Sequence, residues 1–263
     1  MFEPLTLGYL TAAVLLVGLV AVFLVSAYTL HKTRRMHVML YEIRANEGRE
    51  RDEALFKQYR QLEALHALHL EFGFDKALPA TRGWAASPDF LLVIARAVQE
   101  WRPKVIVECG SGGSTVVLAH CARRNGDGHV YSLDHDPAFA AATRRELERH
   151  GLQDFATVID APLTEHRIGD RDWPWYAVEA LPGDPIDMLI VDGPPLPVGS
   201  LARYPAGPLL FSRLAKQAVV YLDDAGRPEE TKIVARWQQE FDIRQSTSHA
   251  TEKGCVALWL EGS

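Results

Sequence analysis

The stretch Val105-Ile106-Val107-Glu108-Cys109-Gly110-Ser111-Gly112-Gly113-Ser114-Thr115 decides how this chain folds. A β-branched run gives a buried strand, an acid closes it, and a bend of small residues opens into a helical pattern over 114–124. Glycine lets the backbone turn sharply and lets a ligand approach the amides closely. The bend also leads into a helix N-terminus, whose orphan N–H groups attract negative charge.

Outward from this stretch, three more apolar runs end in acids. Val130-Tyr131-Ser132-Leu133 ends in Asp134, Met188-Leu189-Ile190-Val191 in Asp192, and Val219-Val220-Tyr221-Leu222 in Asp223 and Asp224. The carboxyl ends of strands in an open parallel sheet line one crevice, so these acids are expected to converge on a single site. Between them the pattern alternates: strand 105–108, helix 114–124, strand 129–133, helix 137–150 and strand 156–160. After a long insertion come strand 187–191, helix 206–216, strand 218–222 and helix 228–240. Upstream, Ser87-Pro88-Asp89 starts a helix that runs to Trp101 and is ended by Pro103. Alternation of this kind predicts right-handed crossovers and a mostly parallel sheet covered on both faces. The tail departs from it. Phe241 to Thr247 and Cys255 to Leu260 are joined by Thr251-Glu252-Lys253-Gly254, too short for a crossover, so these strands are antiparallel.

The expected class is therefore α/β: a Rossmann-like, doubly wound, mostly parallel seven-stranded sheet with a C-terminal antiparallel hairpin. A transmembrane helix and a helical stalk precede it. From Pro4 to Leu30 no side chain is charged, and a 27-residue helix of about 40 Å is long enough to span a bilayer. Only Glu3 is charged ahead of the run, so the segment reads as an uncleaved anchor and not a secretory signal. His31, Lys32, Arg34, Arg35 and Arg44 follow, which places that flank, and the bulk of the chain, on the cytoplasmic side. Residues 33 to about 72 read as helical, with Leu55, Phe56, Tyr59, Leu62, Leu65 and Leu68 at threes and fours and Gly48 weakening the middle. This segment is either a stalk able to self-associate or a helix packed on its own domain. The turn-rich Leu78-Pro79-Ala80-Thr81-Arg82-Gly83 follows. The expected divisions are 1–32 as anchor, 33–78 as stalk or linker and 79–263 as the folded domain.

Composition narrows the functional classes. The 28 basic and 34 acidic residues give a net charge of −6, against a nucleic-acid-coating surface. Cys109, Cys121 and Cys255 are too few and too scattered for a disulfide framework or a zinc site.

Over residues 84 to 260 the chain resembles the class I S-adenosylmethionine-dependent methyltransferases. Val107 to Thr115 is similar to that family's first motif, and Tyr131-Ser132-Leu133-Asp134-His135-Asp136 to its second. The resemblance implies S-adenosylmethionine as cofactor. Glu108, Gly110, Ser111, Gly112, Ser114 and Thr115 would face its amino-acid end, Asp134 with His135 its ribose, and Asp160 with Ala161 its adenine edge. The bland reading is that Asp134 and Asp160 cap turns. A pyridine-nucleotide enzyme would place a third glycine where this chain has Thr115.

Asp192, Asp223 and Asp224 also look like the acids that hold a metal in catechol-type and sugar O-methyltransferases. That resemblance implies magnesium on Asp192, Asp223 and Asp224, with Asp192 and Asp223 as catalytic residues activating an acceptor hydroxyl. Those relatives carry Lys or His three positions after the first acid, where this chain has Pro195. The general base thus stays unassigned among His135, His166 and Arg203. The alternative for Asp223-Asp224 is an ion pair with Arg227 and no metal. The insertion from Leu163 to Pro185 carries Trp173, Trp175 and Tyr176, and is either an acceptor platform or an aromatic cluster covering a hydrophobic edge. Trp84, Arg203 and Tyr204 are further candidates for the rim of the opening.

The expected activity is methyl transfer to a hydroxyl of a sugar, glycolipid or other small acceptor at the cytosolic membrane face. Expected partners are that acceptor, a bilayer through residues 4–30, and a second copy through the stalk, with no nucleic acid. The alternatives are a non-catalytic anchored binding module on the same fold, and a Rossmann oxidoreductase.

Overall fold

A computed structural model of the chain describes residues 4–81 and 83–260. Glu3 beside the apolar run, Arg82 in the turn-rich connection, and residues 1–2 and 261–263 lie outside the described residues. There are two compact units, one up to Gln58 and one from Tyr59 onward.

The first unit consists of helix α1 (Pro4–Phe72) as far as Gln58. Leu10, Leu15, Phe23 and Leu30 are all exposed, and the stretch is long and apolar enough to cross a membrane. Gly48 does not interrupt the helix. One glycine costs about 1 kcal/mol of helix propensity, which the Glu, Arg, Ala and Leu around it outweigh.

In the second unit, the last turns of α1 bury Ala64, Leu68 and Phe72. Gly73 ends the helix in the left-handed region (φ 65°), its amide donating to the His69 carbonyl at 3.0 Å. Gln61 Nε2 donates to Asp89 Oδ2 at 2.8 Å, and His120 Nε2 lies 2.9 Å from the Phe72 carbonyl. The compact body thus starts at Tyr59, ahead of the boundary at 79 that composition suggests.

Helix α2 (Pro88–Trp101) starts with proline at its first position and ends where Arg102 turns left-handed before Pro103. Strand β1 (Val105–Cys109), helix α3 (Gly113–Asn125), β2 (His129–Asp134), α4 (Pro137–His150) and β3 (Ala156–Asp160) follow as expected. The insertion folds as a hairpin, β4 (Leu163–Ile168) paired antiparallel with β5 (Arg171–Tyr176) around Gly169-Asp170. Then come β6 (Ile186–Val191), α5 (Ala206–Leu210), β7 (Leu214–Asp223), α6 (Pro228–Glu240), β8 (Ile243–His249) and β9 (Cys255–Leu260).

One expected element differs. The helix read over 206–216 stops at Leu210, passes through a 3-10 turn at Phe211–Arg213, and gives way to a ten-residue strand. Gly207 and Pro208 are poor helix formers. Leu214 pairs with Ile186 of β6, and from Val219 onward the strand pairs with both β6 and β9, so the residues ahead of the expected strand are extended with it.

The main sheet has the order β3-β2-β1-β6-β7-β9-β8, parallel from β3 to β7 and antiparallel at β7–β9 and β9–β8. The chain reverses its direction of travel between β1 and β6. On one face the core joins the end of α1 with α2, α3 and α4 through Leu68, Phe90, Ile94, Val117 and Leu147. On the other it joins α5, α6 and the β4–β5 hairpin through Trp175, Leu210 and Trp237. Register aligns the acid-bearing ends, since Cys109 pairs with Val191, Val191 with Leu222 and Asp134 with Asp160.

Candidate active site

The bend after β1 lies at the point where the sheet order reverses. Gly110 adopts φ 113° and Gly112 φ 153°, conformations closed to most L-residues. At Gly110 an added Cβ would touch the Asp192–Gly193 backbone at 3.9 Å, while at Gly112 it would meet open space. Helix α3 starts at Gly113, so its first-turn amides have no acceptor within the helix. Thr115 ties the bend to the strand: its hydroxyl accepts from the Gly112 amide at 3.0 Å and donates to Glu108 Oε2 at 2.6 Å. Ser132 of β2 donates to the same oxygen at 2.6 Å.

Glu108 is fully buried, and its Oε1 has no well-formed hydrogen bond. Burial pushes its carboxyl up to about 7, against the pull of the Ser114, Ser132 and Thr115 hydroxyls, and the charge of Asp192 adds to the rise. A carboxylate held this way favours a positively charged neighbour.

At the end of β2, Asp134 Oδ2 accepts from the Ser111 hydroxyl and Oδ1 from the Asp136 amide at 3.0 Å. Ser111 is in turn 2.9 Å from the Thr143 hydroxyl of α4. Glu108, Gly110, Ser111, Gly112, Ser114, Asp134, His135 and Asp192 all line one cavity of about 540 Å³. Thr115 sits directly behind this wall. Asp160 and Ala161 do not line the cavity: Asp160 is exposed and paired with Arg144 at 2.8 Å, and Ala161 is buried. Pro79, Trp84, Phe139 and Tyr176 also line the cavity, and the Tyr176 hydroxyl leaves no room for a Cβ at Gly193.

The aromatics of the insertion fall on the core side. Trp173 and Trp175 are buried in the second cluster, so of the three only Tyr176 reaches the cavity. His166 is bonded to the Tyr176 carbonyl at 3.0 Å and is not part of the lining. Tyr204 is buried with its hydroxyl donating to Glu240 at 2.7 Å.

Beyond the bend, Asp192, Asp223 and Asp224 offer oxygens within 4.8 Å of one another. Arg203 threads between them, 4% exposed. Its Nη2 donates to the Asp192 carbonyl (2.8 Å), to Asp192 Oδ1 (3.2 Å) and to Asp224 Oδ2 (2.7 Å), while Nη1 donates to the Asp223 carbonyl (2.8 Å). Arg227 Nη1 lies 2.9 Å from Asp224 Oδ2, and Lys253 Nζ lies 3.9 Å from Asp224 Oδ1. Buried Glu230 is the fourth acid. Both Asp223 carboxyl oxygens are buried without a partner. Burial, then Asp192 and Asp224, push this group up to about 8.

The residues present therefore do not fit a divalent ion. Two of the three expected ligands are already bonded to a buried guanidinium, and the excess negative charge a metal would neutralise is already largely met. The expected ion pair with Arg227 is present, but Arg203 is the larger partner.

Sequence reading did not find Thr143 or Glu230, and it offered Arg203 as a neighbouring general base or rim residue, whereas its guanidinium is buried among the acids. Thr143 and Glu230 lie on helices whose own pattern gives no sign of a site. The charge of Arg203 on the weakly structured run before α5 is their one local counterpart, and its partners lie on two distant strands.

Strand order, the closing hairpin and the glycine bend over the reversal point define the class of fold: a Rossmann-like, doubly wound sheet closed by an antiparallel hairpin. Residues 107–225 match the family described as methyltransferase domain. A 70-residue stretch is 41% identical to "Probable cobalt-precorrin-6B C(15)-methyltransferase (decarboxylating)" of Methanothermobacter thermautotrophicus. That stretch is 26% of this chain and spans 34% of the relative's length. Among solved structures, the SAH-bound methyltransferase PaMTH1 of Podospora anserina matches with a TM-score of 0.54 and 14% identity, over 76% of this chain and 87% of that one. The O-methyltransferase TomG of Streptomyces achromogenes, involved in tomaymycin synthesis and solved with SAM, matches at 0.50 and 16%, over 77% and 89%. A Bacillus cereus O-methyltransferase solved with SAH matches at 0.50 and 17%, over 76% and 90%. At these identities the likeness is one of fold.

Proposed function

We propose that the domain transfers a methyl group from S-adenosylmethionine to an oxygen of a small acceptor. The observation that carries this reading is the convergence of the glycine bend, Glu108 and Asp134 on one cavity. The donor has an anionic carboxylate, a cationic ammonium and a vicinal diol. The first-turn amides of α3 suit the carboxylate, Glu108 the ammonium, and Asp134 the diol as a two-oxygen acceptor. Phe139 and Trp84 offer apolar faces to the adenine ring.

When bound, the donor supplies an electrophilic methyl group on sulfur. Asp192 lines the same cavity and is the carboxylate positioned to take the proton of an incoming hydroxyl. Its backbone is fixed at both ends, with the amide donating to the Cys109 carbonyl at 3.1 Å and the carbonyl held by Arg203. With the donor bound, the hydroxyl oxygen would form the new C–O bond as the methyl C–S bond breaks and S-adenosylhomocysteine leaves, with Asp192 holding the proton. No step passes through a metal.

The acceptor class that the apolar segment 4–30 supports is a sugar, glycolipid or other hydroxyl compound at the cytosolic membrane face. Incubating the full-length protein with methyl-labelled donor and either lipid-linked or soluble glycan extracts tests this. Label entering the lipid-linked fraction is the expected result. Label confined to soluble compounds overturns the membrane-proximal acceptor, and donor binding without transfer to any extract favours a non-catalytic binding module.

A further inference from the structure

We propose that Arg203 is the resident cation of the Asp192–Asp223–Asp224–Glu230 cluster, a positioning residue that closes the cluster to divalent ions and fixes Asp192 against the cavity. The inference deepens the reading above, but its test is separate from any turnover.

The geometry is that of an internal bridge. The guanidinium is anchored on two strand ends at once, on the Asp192 carbonyl after β6 and on the Asp223 carbonyl of β7, each at 2.8 Å. Its Nη2 also reaches Asp192 Oδ1 and Asp224 Oδ2, at 3.2 and 2.7 Å, and Nε lies 4.0 Å from Glu230 Oε1. A planar fork with fixed donors can join four groups this way, whereas a point charge on a flexible stem cannot.

The balance of charge points the same way. Three buried acids, Asp223, Asp224 and Glu230, and the partly buried Asp192 face three cations, Arg203, Arg227 and Lys253. The deficit is one charge, which a divalent ion overshoots. Such an ion would also have to share the oxygens of Asp192 and Asp224 with the guanidinium and sit beside a like charge that is itself 4% exposed.

Asp192 gains most from the arrangement. It belongs both to the cluster and to the cavity wall, and Arg203 holds its main chain and one carboxylate oxygen.

The experiment uses full-length protein in detergent micelles and Mn2+ as the probe, followed by electron paramagnetic resonance. The wild type is expected to show no Asp223-dependent site tighter than about 1 mM, the weak end for oxygen-ligand cation sites. Arg203→Met, confirmed folded by circular dichroism, is expected to gain a Mn2+ site at least about tenfold tighter than any in the wild type. Adding Asp223→Asn to that variant is expected to remove the site. A sub-millimolar site in the wild type that Asp223→Asn abolishes overturns the proposal, as does a folded Arg203→Met that gains nothing. The wild-type titration decides on its own if the variant does not fold. Donor affinity on the same samples reports separately on the functional reading: absence of S-adenosylmethionine binding together with absence of a Mn2+ site would sink that reading and leave this one standing.

Discussion

Replacing Glu108 by glutamine should move stability and donor affinity in opposite directions. In the free protein the Glu108 carboxyl has a pKa of about 7, against an ordinary value of 4.5. The folded state therefore binds this proton more tightly than the unfolded chain does. Glu108 costs nothing below pH 4.5, and stability falls as pH rises from there to about 7, above which the full cost applies. The interval between 4.5 and about 7 corresponds to at most about 3 kcal/mol. A glutamine amide at this position would keep an oxygen for the Thr115 and Ser132 hydroxyls and lose the charge. At about pH 8 the free variant should therefore be more stable by roughly 1–3 kcal/mol, several degrees in Tm for a domain of this size. Donor affinity should fall by about 1.5–3 kcal/mol, the worth of a hydrogen bond to a charged group, or roughly ten- to hundredfold in Kd. Wild-type affinity should also weaken as pH drops below about 7, since binding a cation must first displace the Glu108 proton, while Glu108→Gln should show no such dependence. Differential scanning fluorimetry across this pH range, with calorimetric titration of S-adenosylmethionine, measures both. A variant less stable than wild type at high pH, or one with unchanged donor affinity, refutes the role given to this carboxylate.

Asp134→Ala should weaken donor binding by about 1–3 kcal/mol, and unchanged affinity in the same titration would remove it from the ribose site. Asp160→Ala should leave donor affinity unchanged, because Asp160 faces solvent beside Arg144 and not the cavity; a tenfold loss would restore the adenine contact that the sequence suggests. Leu68→Ala should cost roughly 2–5 kcal/mol in thermal or denaturant unfolding, since Leu68 is fully buried in the core. A change within about 0.5 kcal/mol, the range of surface substitutions, would mean the end of α1 is dispensable to the domain.

Much of the fold is legible in the sequence because the strong signals are local. β-Branched runs that stop at an acid, the Ser87-Pro88-Asp89 helix start and the short Thr251–Gly254 connection each fix their element without reference to the rest of the chain. The β4–β5 hairpin reads only as a long insertion. Its turn, Gly169-Asp170, is short, and its strands alternate weakly, with Pro174 and two charged ends. The stretch 211–216 reads as helix because its apolar spacing suits one, while it folds as a 3-10 turn followed by the start of a strand that Leu214 pins to Ile186 of β6.

The cofactor half of the site is legible for the same reason, since Glu108, the glycine bend and Asp134 sit within two short segments. The adenine-edge positions Asp160 and Ala161 rest on strand order alone, and side-chain pairing with Arg144 takes Asp160 away. The acid cluster is half legible. Its three aspartates announce themselves at strand ends, but the cation among them comes from an irregular segment, so charge balance suggests a metal where the fold supplies Arg203.

The central claim is that the bend after β1 is shaped for a cationic methyl donor. Isothermal titration of full-length protein in detergent with S-adenosylmethionine, S-adenosylhomocysteine and NAD tests it most directly. The first two are expected to bind at micromolar concentrations with one site per chain and NAD not at all; binding of NAD alone, or of none of the three, would contradict it.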